Sequence, residues 1–146
     1  MIQRIQSIFL FLAAGASFSL FGLPFASVNE AVESSVIFKD KVFNVMDHPA
    51  LIGLFAVAGL LALVSVFLFK NRKLQMRLAI FSFIATLLAS IFGVIFFMQN
   101  GGNVDAADIT DDMGIFLPPL ALVSCLLAYR FISKDEKLVK SMDRLR

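Results

Sequence analysis

The residues best suited by type to chemistry are His48, Cys125 and the four aspartates of the segment QNGGNVDAADITDDMG: Asp105, Asp108, Asp111 and Asp112. His48 is the sole histidine and stands beside Pro49. Axial haem ligation usually takes a second ligand, which would have to come from a partner chain, and the plainer role for His48 is at a helix boundary. A Ser–His hydrolase needs a serine held at the histidine and an oxyanion site; Ser35 and Ser90 qualify by type, and nothing in the spacing selects them. Cys125 is the single cysteine, so it can form neither an internal disulfide nor a redox pair and is expected to be a small packing residue. The four aspartates do not follow the EF-hand spacing and lack its bidentate glutamate, so a solvated loop is expected there. Gly101-Gly102 has no phosphate-loop context. No cofactor, metal or catalytic residue is expected, and the chain reads as a non-enzyme.

The elements that must position these residues are apolar. The chain is 59% hydrophobic and 16% charged, against about 25% charged in an ordinary soluble domain. Four blocks carry no acidic or basic residue: Ile5–Phe25, Ala50–Phe69, Leu78–Met98 and Ile115–Tyr129. At about 1.5 Å per residue, the first three match a hydrocarbon core of about 30 Å. The fourth is extended to Ile132 because Arg130 can snorkel. Backbone amides in lipid must be paired within the segment, and these blocks lack the alternation of a barrel strand. The fold class expected is therefore an all-α integral membrane protein, a four-transmembrane-helix bundle. Its single domain, residues 1–146, has spans at about 5–25, 50–69, 78–98 and 115–132, outer loops 26–49 and 99–114, an inner loop 70–77, and a basic tail 133–146.

Charge sets the orientation. Of the 13 basic residues, 11 fall in Met1–Arg4, Lys70–Arg77 and Arg130–Arg146. With three acids, those segments carry a formal charge of +8, whereas the other two connections hold Lys39 and Lys41 against eight acids, formally −6. The positive-inside rule then puts both termini in the cytoplasm. The overall +2 hides this asymmetry, so the basic balance is no sign of nucleic-acid binding. No ionisable residue lies in the middle of a block, which weighs against a proton relay.

The first block raises the question of a signal peptide, whose apolar region would be about 7–15 residues with an A-x-A-like site. Here the uncharged run Ile5–Asn29 is 25 residues long, and Pro24 and Phe25 occupy positions where small residues are wanted. A retained first span is expected. Small residues mark where helices meet: Ala85, Ala89 and Gly93 recur every fourth residue with Ser82, Thr86 and Ser90 beside them, Ala121, Ser124, Cys125 and Ala128 form a stripe, and Gly15, Ser19 and Gly22 form another. Two further readings concern the connections. Val36–Phe38 and Val42–Phe43 are β-prone around a Lys39–Lys41 turn, predicting a small hairpin or a surface-lying segment. In the tail, Leu138, Val139, Met142 and Leu145 make an apolar stripe, with Glu136 and Lys140 as an i, i+4 pair.

The stretches MIQRIQSIFLFLAA, NRKLQMRL and KDEKLVKSMDRLR together resemble a family of small bacterial inner-membrane proteins known as domain of unknown function 4293. The resemblance covers the whole chain and implies a four-span protein of the bacterial plasma membrane. It transfers no catalytic residue, ligand or partner. The function expected is that of a scaffold or accessory subunit of a membrane complex. Its basic inner face, Arg72, Lys73, Arg77, Lys137, Lys140 and Arg144, would contact membrane lipids, another membrane protein or a cytosolic partner. The alternative is a small oligomeric transporter or channel lined by Ser82, Thr86 and Ser90. A haem protein or membrane enzyme using His48 is the least favoured reading.

Overall fold

The computed structural model describes residues 2–31, 35–101 and 108–143, with side chains from residue 5 to residue 141 within those ranges. Four helices dominate: α1 (Ile2–Ser19), α2 (Pro49–Phe67), α3 (Arg72–Asn100) and α4 (Leu117–Asp143). Helices α2, α3 and α4 are long and apolar enough to cross a membrane, which makes this a helical membrane protein; α1 is shorter. Each helix packs against two neighbours, α1 and α3 both lying between α2 and α4.

Three short strands close one end. Strand β1 (Ala26–Val28) follows α1, β2 (Val42–Phe43) precedes α2, and β3 (Ile109–Asp111) follows α3. They form an antiparallel sheet in the order β2-β1-β3, with Ala26 opposite both Phe43 and Asp111. The ends of α1 and α3 and the starts of α2 and α4 therefore meet at the sheet, and the helices run alternately up and down.

The first helix departs from expectation. It ends at Ser19 instead of Phe25, and the chain turns through Leu20–Leu23 into β1. Pro24 blocks helix continuation, and Phe25 is drawn into the sheet by its amide's bond to the Phe43 carbonyl, 2.7 Å. The predicted hairpin also differs. Strand β2 is there, but its partner is β1, not Val36–Phe38. Ile37 and Phe38 are fully buried instead, and the Ser35 hydroxyl and Val36 amide both donate to the Asn100 carbonyl at the end of α3. The turn survives with Lys41 at φ 69°, a left-handed conformation uncommon outside glycine.

The inner loop is also shorter than the expected 70–77. Asn71 caps α3, its side-chain oxygen accepting from the Leu74 amide at 3.3 Å, so Arg72, Lys73 and Arg77 lie on the helix. Within the expected 99–114 connection, α3 runs to Asn100, β3 occupies Ile109–Asp111, and a 3₁₀ turn, Met113–Phe116, leads into α4. Pro118 and Pro119 sit in the first turn of α4, where amides have no helical acceptor. Helix α4 then runs unbroken through the tail to Asp143.

Candidate functional site

The basic end is built by the α2–α3 turn and the C-terminal half of α4. The turn is held by two buried bonds: the Ser65 hydroxyl donates to the Gln75 backbone carbonyl at 3.2 Å, and the Gln75 side-chain amide donates to the Ser65 backbone carbonyl at 3.1 Å. Across the bundle, buried Gln6 donates to the Phe131 carbonyl at 3.3 Å, and Phe9 stacks on Phe131 at 5.5 Å. These contacts fix the register of α1 and α4 where α4 leaves the bundle. A groove of about 630 Å³ opens between the turn and that extension, walled by Lys70, Arg72, Lys73, Glu136 and Lys140, with Phe69 and Val139 as its apolar residues.

Lys140 bonds Glu136 at 3.0 Å, on the helix spacing expected. With one acid among four cations, the groove keeps an excess of positive charge. Lys73 is exposed and Arg72 half-buried, so their charges are available to an anion, while exposed Lys140 already shares its charge with Glu136. Arg77 and Lys137 are exposed but do not line the groove. Arg144 lies outside the described residues, as do Leu145 of the tail stripe and Asp105 of the acidic loop.

The small-residue faces are placed as follows. Ser82, Ala85, Thr86, Ala89 and Gly93 of α3 are buried, and Ser90 is half-buried. The three hydroxyls donate within the bundle: Ser82 to the Ala58 carbonyl at 2.8 Å, Thr86 to Ser82 at 2.9 Å, and Ser90 to Thr86 at 2.8 Å. In α4, Ala121, Ser124, Cys125 and Ala128 are buried, with the Cys125 sulfur 3.6 Å from the Ser82 hydroxyl. In α1 the expected stripe is displaced. Gly15 and Ser19 are exposed and Gly22 lies beyond the helix; Gln6, Leu10, Ala13, Ala14 and Ser17 face the bundle instead.

His48 caps α2: its Nδ1 accepts from the Ala50 amide at 3.1 Å, and its ring lies 4.9 Å from the rings of Phe92 and Phe96. The serines considered for it are engaged elsewhere, Ser35 accepting from the Phe38 amide and Ser90 donating to Thr86. Among the described residues, no three His, Cys, Asp or Glu side chains gather into a metal-sized group. Just before His48, Asn44 and Asp47 form a capping box on a 3₁₀ turn, with bonds of 2.7 Å each. Burial pushes the Asp47 carboxyl above the usual carboxylate range; the Asn44 amide opposes this and the Asp40 charge adds to it. The Asn-x-x-Asp spacing was a readable cap signal. The groove had none, because it joins residues far apart in the chain.

Two of the three stretches that carry the family resemblance, NRKLQMRL and the described part of KDEKLVKSMDRLR, thus meet at one end of the bundle. The family model for a domain of unknown function, DUF4293, matches residues 2–145. The chain belongs to the DUF4293 family. The match takes in all four helices and the sheet, so the whole described fold belongs to the DUF4293 unit. Comparison with curated proteins finds no match.

Proposed function

We propose that this DUF4293 protein is a four-span protein of the bacterial plasma membrane with both termini in the cytoplasm, and that it works by association rather than catalysis. In this reading it is a scaffold or accessory subunit of a larger membrane complex. Support for α1 as a span comes from its surface: Ile8 and Phe11 are 64% and 67% exposed, apolar side chains that water would leave unburied but lipid would solvate. Its 18 residues give a helix of about 27 Å, within the range that crosses a bilayer with slight thinning. The bacterial location is what the sequence resemblance implies.

The observation that carries the association is the groove. Lys70, Arg72, Lys73 and Lys140 converge beside Phe69 and Val139 at the positively charged end. Such a site offers both charge and apolar contact to an acidic segment of a neighbouring protein at the membrane surface, with anionic lipid headgroups as further partners of the same cations. Each basic residue near an anionic surface contributes about 1 kcal/mol.

Purification in mild detergent tests this. A neighbour should copurify in fixed stoichiometry, and charge reversal at Arg72, Lys73 and Lys140 should release it while the bundle stays folded. A lone monomer in several such detergents, with no crosslinked neighbour in cells, contradicts the reading.

A further inference from the structure

At the opposite end, a cavity of about 400 Å³ lies between α3, α4 and the sheet. Its volume falls in the range of small-molecule sites, about 300–1,000 Å³. Small residues leave the space open: Ala89 and Gly93 on α3 and Ala26 on β1 line it, with Pro118 and Pro119 at the start of α4. A Cβ on Gly93 would meet only Leu51, at 3.5 Å, so the glycine is not required by a clash there. The rest of the wall is largely aromatic and aliphatic, including Phe55, Phe97 and Leu122. A site this apolar offers water few partners.

We infer that this cavity holds one hydrocarbon chain of a membrane phospholipid whose ammonium headgroup lies toward Asp111. Three observations select that occupant. The wall is continuous with apolar surface turned away from the protein, since Val94 and Ile115 line it and are 59% and 41% exposed; with α3 and α4 in a bilayer, the chain enters from the lipid. The polar residues in the wall offer acceptors: Ser90 has its hydrogen on the Thr86 carbonyl, and Asp111 brings an acidic side chain at the sheet. Asp111 suits a headgroup that ends in an ammonium rather than one whose only charge is its phosphate. The connections at this end also carry the formal −6, which disfavours an anionic lipid and favours one bearing an ammonium.

The inference rests on the membrane-spanning reading, and its test separates the two. The full-length protein is reconstituted in vesicles containing phosphatidylethanolamine with a diazirine near the end of one chain, irradiated, and mapped by peptide mass spectrometry. Adducts at Val94, Phe97 and Leu122 should exceed those at lipid-facing Phe81 and Val123 several-fold. Leu122→Trp, and independently Ser90→Leu, should fill the space and reduce labelling of Val94 and Phe97 to the level of Phe81. Val123→Trp should leave it unchanged. Phosphatidylglycerol with the same chain should label the cavity several-fold less. Equal labelling by the two lipids overturns the headgroup assignment. Uniform labelling of every apolar face, or cavity labelling indifferent to both filling variants, overturns the site and leaves the membrane reading standing; no labelling anywhere overturns both.

Discussion

Ala13, Ala62, Ala79, Cys125 and Ala128 fill the middle of the bundle, whereas Leu20, Ile37, Phe38, Phe43 and Phe55 fill the region beneath the sheet. In the bundle Leu10 and Ile132 are buried, but other large side chains, such as Phe11, Phe67 and Phe81, point outward. Beneath the sheet they point inward, with Phe38 edge-on to Phe97 at 5.9 Å and Phe43 5.6 Å from Phe97. The difference follows from the solvent. Within lipid there is no hydrophobic gain in burying a phenylalanine, so helices are held by close approach and by hydroxyl bonds. Where the chain emerges into water, burying apolar area is again the main driving force. The sheet end is thus assembled like a small soluble core set on a membrane bundle.

The two ends differ most at phenylalanine. Phe38→Ala should lower stability by about 3–5 kcal/mol, while Phe81→Ala, a change at a side chain 56% exposed, should stay within about 0.5 kcal/mol. Thermal unfolding in detergent reads both, and equal losses would erase the distinction. Enlarging a small residue reverses the test. Ala62→Leu, at a position with no exposed surface, should destabilise by about 1–3 kcal/mol because the helices must separate. A neutral result would mean that α1 and α2 do not pack closely there.

Smaller effects belong to the turns of the sheet end. Lys41→Gly should relieve the left-handed backbone at φ 69° and stabilise by about 1 kcal/mol, less the entropy glycine adds to the unfolded chain; Lys41→Val should do the opposite. The smallest is a pH effect at Asp47. Because burial raises its pKa, the folded state holds that proton more tightly than the unfolded chain. Stability should therefore rise as pH falls from neutral through the raised value, with the gain complete below the ordinary value of 3.8. Subtracting the profile of Asp47→Asn from that of the wild type isolates the contribution, and a difference of the opposite slope would refute the assignment.

The contrast also explains what the sequence made legible. Long apolar blocks announced the helices, and small residues at four-residue spacing marked the buried faces of α3 and α4. On α1 the same cue misled. Gly15, Ser19 and Gly22 are small but face away or lie past the helix, while Gln6, Leu10, Ala13, Ala14 and Ser17 pack inward. In a segment apolar on every side, smallness alone does not set the angle of the buried face. The sheet was hidden because its strands are two or three residues long and paired across distant segments. Val36–Phe38 has strand propensity, but Ile37 and Phe38 are taken by the core beneath the sheet. Gly114 gave no local sign of its role: a Cβ there would collide with the Pro24 carbonyl, which accepts the Gly114 amide at 3.0 Å. The groove and the lipid-sized cavity arise from the same long-range packing.

A four-span bundle requires α1 to cross the membrane, with the basic end inside and the sheet end outside. Single cysteines at Gln3, Lys73, Lys137, Met46 and Thr110, in a Cys125→Ala background, can be labelled with an impermeant maleimide on intact spheroplasts and again after lysis. Met46 and Thr110 should react on intact spheroplasts, and Gln3, Lys73 and Lys137 only after lysis. Labelling of Gln3 on intact spheroplasts together with Met46 would show that α1 does not cross, and would contradict the four-span bundle.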